Sequence, residues 1–164
     1  MDRLMTVGPL LNDNLDDVLE VESASFVEPW SRALFAAEIA QPNRRYLAAF
    51  DGNAVCGYGG VMLVGEDAHV VTLAVAPGYR ERGVASRLLM ALIDAARAGG
   101  ARHLTLEVRE SNQAAFELYR KFGFEPAGTR KGYYKTEDAV VMWAVDIDSV
   151  DYQGTLASIR KEAS

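Results

Sequence analysis

The chain has 164 residues, 49% of them apolar and 24% charged, the balance of one soluble domain long enough to bury a core. Its net charge of −6 argues against a general nucleic-acid binder and suits a basic partner such as a peptide tail. The single cysteine, Cys56, excludes an internal disulfide and argues against a metal cluster, and no apolar run approaches ~18 residues, so no membrane span is expected and the expected location is cytoplasmic.

In chain order, LMTVG (Leu4 to Gly8) can start a sheet. Leu15, Val18, Leu19 and Glu22 then fall at helical spacing, with Asn12 or Asp13 as N-cap. VEPWS breaks that helix, and Ser31 can cap a second, SRALFAAEIA, which stops before Gln41-Pro42. RYLAAF reads as a strand, Asp51-Gly52-Asn53 as a hairpin turn, AVCGYGGVMLV as a long strand with glycines, and HVVTLAV as the next strand after a turn at Gly65–Asp67. Cys56 in that setting reads as a small buried hydrophobe. Val84, Leu88, Leu92 and Ala95 mark an amphipathic helix that ends at Gly99-Gly100. In RHLTLEVR, Leu104, Leu106 and Val108 face one way and Thr105, Glu107 and Arg109 the other. NQAAFELYRKFGF is a helix stopped by Gly123, and two strands follow near FEPAGTR and AVVMWAVDI. The order is that of a mixed α/β (α+β) domain over residues 1–147, and the tail at 148–164 is polar without a clear period.

The chemistry-bearing segment is Arg80-Glu81-Arg82-Gly83-Val84-Ala85-Ser86, between a strand and a helix. A helix start exposes unpaired N–H groups and a partial positive charge, glycine lets an anion approach the backbone, and Arg80, Arg82 and Arg87 add charge. Such a loop suits a phosphate or pyrophosphate, although a plain strand-to-helix turn with surface arginines has the same pattern. It is neither a Walker A loop, which needs a Lys-Ser/Thr pair, nor a dinucleotide loop, which needs three spaced glycines.

Arg80–Ala85 fits the Arg/Gln-x-x-Gly-x-Gly/Ala motif, and with the element order the chain resembles the GNAT-type acetyl-CoA-dependent N-acetyltransferases over residues 1–147. EPWS at 28–31, LEVRESNQAAFELYRKFGF at 106–124 and KGYYKTEDAVVM at 131–142 resemble more narrowly the RimI-type branch, whose members acetylate the N-terminal alanine of a ribosomal protein. The resemblance implies a mixed, mostly antiparallel sheet of about seven strands flanked by about four helices. It implies acetyl-CoA as co-substrate, with the pyrophosphate in the 80–86 loop and the pantetheine arm along Leu73, Ala74 and Val75. It also implies a protein N-terminus, that of a ribosomal protein, as partner. Ala85 stands where a second glycine is commoner.

By the same resemblance Glu107 is the general base, acting through a water, and Tyr119 the acid that protonates the leaving thiolate. The residues alone leave open a strand glutamate paired with Arg109 or Arg102, and a core tyrosine in the stripe Ala115, Phe116, Tyr119, Phe122. Asn112 is expected to contact the CoA arm, or to be an N-cap together with Ser111. A backbone N–H of the Leu73–Val75 strand is the expected oxyanion donor. Tyr133, Tyr134, Glu137 and Asp138 are expected to shape the peptide site, with Glu28 and Trp30 as the opposite wall; the alternative is a hairpin with a solvated, charged tip. His69 and His103 have no ligand spacing and read as structural or surface residues, and no metal is expected. Deprotonating an α-amine at pH 7 costs about 1 kcal/mol and a lysine roughly 4.6, so a protein N-terminus is the easier acceptor. Two alternatives keep the fold: an enzyme for a small amine or a lysine side chain, and a non-catalytic CoA-binding module.

Overall fold

The computed structural model describes residues 5–163; the expected first strand therefore begins inside it, at Met5, and Leu4 lies outside the described residues. Seven strands are β1 (Met5–Pro9), β2 (Arg44–Asp51), β3 (Ala54–Val64), β4 (Asp67–Val75), β5 (His103–Arg109), β6 (Glu125–Arg130) and β7 (Ala139–Ala144). Five helices are α1 (Leu15–Ser25), α2 (Arg32–Ile39), α3 (Val84–Ala98), α4 (Gln113–Lys121) and α5 (Val150–Ala163). The strands form a sheet in the order β1-β2-β3-β4-β5-β7-β6; β4 and β5 run parallel, whereas β1 with β2, β2 with β3, β5 with β7 and β6 with β7 are antiparallel. No described helix is long and apolar enough to cross a membrane.

The chain divides into two compact units, one of the described residues up to Met62 with Val71–Ala95, the other of Leu63–Val70 and the residues from Ala96 onward. The first unit has its core in Leu10, Leu15, Val18, Val21, Phe35, Tyr46, Ala48, Val55, Tyr58 and Ala74, beside a smaller cluster of Ala49, Cys56, Val84 and Leu88. The glycines of β3 have a packing reason. A Cβ on Gly57 would lie 3.0 Å from the Ala74 carbonyl oxygen and from Leu88 Cδ1, and one on Gly59 would lie 2.8 Å from Leu92 Cδ1. Bare backbone at these positions lets α3 sit directly on the sheet and fixes where that helix begins.

Ser31 caps α2 as expected, its Oγ accepting the Leu34 N–H at 3.1 Å. The start of α1 differs from expectation. Asn12–Asn14 form a 3-10 turn, α1 begins at Leu15, and the Asn14 side chain accepts the Leu11 N–H at 2.9 Å, so local turn chemistry takes the role assigned to a cap. Glu22 is buried at 3% exposure and accepts hydrogen bonds from the Tyr58 hydroxyl and, at 2.8 Å, from the Trp30 N–H. The Phe26–Trp30 bend is thereby tied to β3 through one carboxylate.

In the second unit β5 alternates as read, with Leu104, Leu106 and Val108 buried and Thr105, Glu107 and Arg109 on the other face. The tail is a helix: α5 buries Tyr152, Leu156 and Ile159, which recur at i, i+4 and i+7. The Tyr152 hydroxyl donates to the Phe122 carbonyl at 2.6 Å, just past the end of α4. Tyr152→Phe leaves that carbonyl without its donor and is expected to lower stability by about 1–2 kcal/mol, measured by urea unfolding; an unchanged midpoint would show that the bond contributes nothing.

Candidate active site

In the first unit, β4 ends at Val75, a 3-10 turn covers Pro77–Tyr79, and the chain enters α3 at Val84. Two residues of the intervening loop are left-handed, Glu81 at φ +63° and Gly83 at φ +80°. Glycine adopts this freely, whereas for Glu81 it costs roughly 1–2 kcal/mol. A Cβ on Gly83 would meet nothing within 4 Å, so the space beside its backbone is open. The first hydrogen bond of α3 runs from the Arg87 N–H to the Gly83 carbonyl at 3.1 Å, which leaves the N–H groups of Gly83, Val84, Ala85 and Ser86 without helical partners. Arg80 Nε donates to the Val75 carbonyl at 3.2 Å, and the Arg82 guanidinium lies 5.4 Å over the Tyr79 ring. Tyr79 in turn donates to Asp51 Oδ2 at 2.6 Å. Donors, positive charge and open space suit an anion such as a pyrophosphate. Leu73 and Val75 are half-buried and Ala74 is buried. Trp30 is half-buried, 5.1 Å from the Phe35 ring, and Glu28 is exposed on the preceding bend.

The second unit holds the proton-transfer candidates. The Glu107 carboxylate lies on the polar face of β5 with a side-chain exposure of 9%. His69 Nε2, from β4, stands 2.8 Å from its Oε1 and 3.0 Å from its Oε2, and the Tyr133 hydroxyl donates to Oε1 at 3.2 Å. The His69 hydrogen bond holds the Glu107 pKa below the ordinary glutamate value, against the opposing effect of burial and with help from Tyr133 and Arg130. The arginine partners left open from the sequence are engaged elsewhere: Arg109 with Glu137 at 3.6 Å, and Arg102 with Glu66 at 3.8 Å and Asp148 at 3.4 Å. His69, read from the sequence as a structural or surface residue, is thus the partner that the fold gives the Glu107 carboxylate, one that the sequence did not indicate. His103 keeps a structural role, its Nδ1 accepting the Asp146 N–H at 3.2 Å.

Tyr119 lies on the inner face of α4, buried, its ring 5.8 Å from that of Phe124. Burial, with Tyr134 nearby, pushes its phenol up to about 12, so it stays a protonated donor at neutral pH. Asn112 is the N-cap of α4, its Oδ1 accepting the Ala115 N–H at 3.1 Å.

Between β6 and β7 the loop carries the Tyr133–Tyr134 pair, with ring centroids 5.1 Å apart and edge to face. Arg130 lies 4.5 Å over Tyr133 and Arg109 lies 4.1 Å over Tyr134. Glu137 and Asp138 brace this loop. Glu137 accepts from the Ser111 N–H and hydroxyl, each at 3.0 Å, and Asp138 accepts the Gly132 N–H at 2.8 Å and pairs with Lys131 at 3.3 Å. Their carboxylates are therefore engaged by the protein itself, Glu137 by Ser111 and Arg109 and Asp138 within the loop. No group of His, Cys, Asp and Glu side chains able to hold a metal occurs among the described residues.

Residues 15–124 match the acetyltransferase (GNAT) family. The chain is 38% identical over 141 residues to the N-alpha-acetyltransferase RimI of Mycobacterium tuberculosis, covering 82% of this chain and 87% of that one. It is 32% identical over 141 residues to the ribosomal protein bS18-alanine N-acetyltransferase of Escherichia coli K12, covering 84% and 95%. The crystal structure of the ribosomal-protein-S18-alanine N-acetyltransferase from Escherichia coli superposes with a TM-score of 0.80 at 29% identity, covering 87% of this chain and 94% of that one.

Hydrogen bonds from Ser111 lower the Glu137 pKa, and the backbone N–H of Gly132, then Lys131, lowers that of Asp138. With folded-state values below the unfolded ones, the bracing is full above the ordinary carboxylate range and is lost as pH falls below that range through the lowered folded-state values. Amide-exchange protection at Gly132 and Ser111 is therefore expected to drop below about pH 4, before protection in β5 does. Equal loss at both places would mean that the loop does not depend on these carboxylates.

Proposed function

The chain belongs to the acetyltransferase (GNAT) family and is an acetyl-CoA-dependent N-acetyltransferase, and on that premise we propose that its acceptor is the α-amine of an N-terminal alanine, that of a ribosomal protein. The observation that carries this reading is the Glu107 carboxylate, held ionised by His69 on the face of β5. A carboxylate with a lowered pKa is a weak base. Freeing an α-ammonium near 8 is about 3.3 kcal/mol easier than freeing a lysine near 10.4, so a weak base suits an N-terminus and disfavours a side-chain amine. Of the two relatives, each matched along more than four-fifths of this chain, the name of the Mycobacterium tuberculosis one supports an α-amine as acceptor, and that of the Escherichia coli one supports the alanine of a ribosomal protein.

In this reading the N–H groups of Gly83–Ser86, with Arg80, Arg82 and Arg87, bind the pyrophosphate, and Leu73–Val75 run along the pantetheine arm. Asn112, whose Oδ1 caps α4, has its amide N–H groups to offer the same arm. Glu107 takes the proton of the attacking amine through a water, and a backbone N–H of Leu73–Val75 stabilises the oxyanion. Tyr119, at about 12, faces a departing thiolate whose ordinary pKa is near 8.5. Full transfer from its resting state is uphill, so a hydrogen bond to the sulfur is its main contribution until charge has built up there. Tyr133, Tyr134, Trp30 and Glu28 bind the first residues of the peptide, and Glu137 and Asp138 act by holding the tyrosine loop.

The test is mass spectrometry of peptides beginning with Ala, Ser, Gly, Met or acetyl-Ala, each with an internal lysine, incubated with acetyl-CoA, with spermidine as control. Acetylation is expected on the free Ala α-amine, with Glu107→Gln lowering its rate at least tenfold at pH 7 and less at pH 9, where the amine is already neutral. Modification of lysine or spermidine would move the acceptor class. A Glu107→Gln rate unchanged at both pH values would remove Glu107 from the chemistry.

A further inference from the structure

The roles above give His69 only an influence on the charge of Glu107, yet its ring nitrogen meets the carboxylate of the proposed base directly. Its place follows from strand register. β4 and β5 pair in parallel as Asp67↔His103, Ala68↔Leu104 and His69↔Thr105. Glu107 lies two residues beyond Thr105, one side-chain repeat along the same face. The intervening Thr105 turns its hydroxyl to the Met142 carbonyl at 2.9 Å and leaves the carboxylate to the imidazole. His69 Nε2 meets both carboxylate oxygens, at 2.8 and 3.0 Å, so one ring nitrogen fixes the plane of the group. The side chains are 26% and 9% exposed, which shelters the pair from bulk water. The second contact on Glu107, from Tyr133, comes from a loop, whereas His69 is carried by a strand in the sheet.

We propose that His69 is a positioning residue for acetyl transfer, holding the Glu107 carboxylate in the orientation in which it receives the proton of the acceptor amine. The inference rests on the reading of Glu107 as the base. Among the described residues, the charged and titratable groups around Glu107 are His69 from β4, Tyr133 and Tyr134 from the β6–β7 loop and Arg130 from β6. Removing the imidazole takes away the one that meets both oxygens.

The experiment uses the full chain with His69→Ala, His69→Gln, Glu107→Gln and the His69→Ala/Glu107→Gln double variant. It reads the rate on the Ala-peptide, the KM for acetyl-CoA, far-ultraviolet circular dichroism and a carbon-13 NMR titration of the glutamate carboxyls. His69→Ala is expected to lower kcat on the order of tenfold to a hundredfold, as misplacement of a catalytic group does, with the KM for acetyl-CoA unmoved. His69→Gln, which keeps an N–H donor, recovers part of the rate. In the Glu107→Gln background the loss disappears, because His69 then has no carboxylate to hold. The Glu107 titration midpoint rises in His69→Ala. An unchanged rate and midpoint, or an equal fold-loss with and without the Glu107 carboxylate, overturns the proposal. A wild-type chain that acetylates no peptide while its Glu107 midpoint still rises in His69→Ala overturns the acceptor reading and upholds the His69–Glu107 coupling.

Discussion

Three paired positions of parallel strand, Asp67↔His103 to His69↔Thr105, are the constraint on which the meeting of His69 with Glu107 depends. Side chains alternate along a strand with a period of two, so a slip of one residue would put His69 and Glu107 on opposite faces. The register is pinned from both sides. The Arg102 N–H donates to the Glu66 carbonyl at 2.7 Å just before the pairing begins, and β5 is matched to β7 from Leu104↔Ala144 through Arg109↔Ala139. Leu104, Leu106 and Val108 are buried on the far face, so a slip would also bring Thr105 and Glu107 into the core.

Four acidic side chains show how partners divide one functional group into different tasks. Glu22 is buried and meets a tyrosine hydroxyl and a backbone N–H, which ties a bend to a strand. Glu137 and Asp138 are met by backbone N–H groups and cations, which order a loop. Glu107 is met by an imidazole and a phenol. Backbone N–H groups and cations hold the loop carboxylates, whereas an imidazole and a phenol orient that of Glu107.

Much of this was legible in the sequence because it is local. The alternation of RHLTLEVR, the Ser31 cap, the glycines of β3 and the loop before Val84 each report on backbone within a few residues. What was not legible depends on pairing at long range. His69 and Glu107 are 38 residues apart, and nothing in HVVTLAV states which residue of β5 it will face. For Glu137 and Asp138, expected to shape the peptide site, the sequence shows two charges and conceals that Ser111 and Gly132 stand beside them. The tail is a different case. Tyr152, Leu156 and Ile159 do have helical spacing, but Gly154 and the surrounding polar residues dilute the pattern below recognition.

That tail bears on Tyr119, the proposed acid, as well as on stability. Burial is what raises this phenol to about 12, and its ring lies 5.8 Å from that of Phe124. Both Phe122 and Phe124 donate their N–H groups to the Tyr119 carbonyl at 3.0 Å, so the turn at 122–124 and Tyr119 are one piece of backbone. α5 fastens that turn through the Tyr152 hydroxyl on the Phe122 carbonyl and through the Tyr152 ring, 3.2 Å from where a Cβ on Gly123 would stand. A side chain at Gly123 would press on that ring, and its φ of +88° also calls for glycine. The raised pKa of Tyr119 is thus a property of packing, whereas the lowered pKa of Glu107 comes first from a strand-borne histidine, with Tyr133 and Arg130 adding to it.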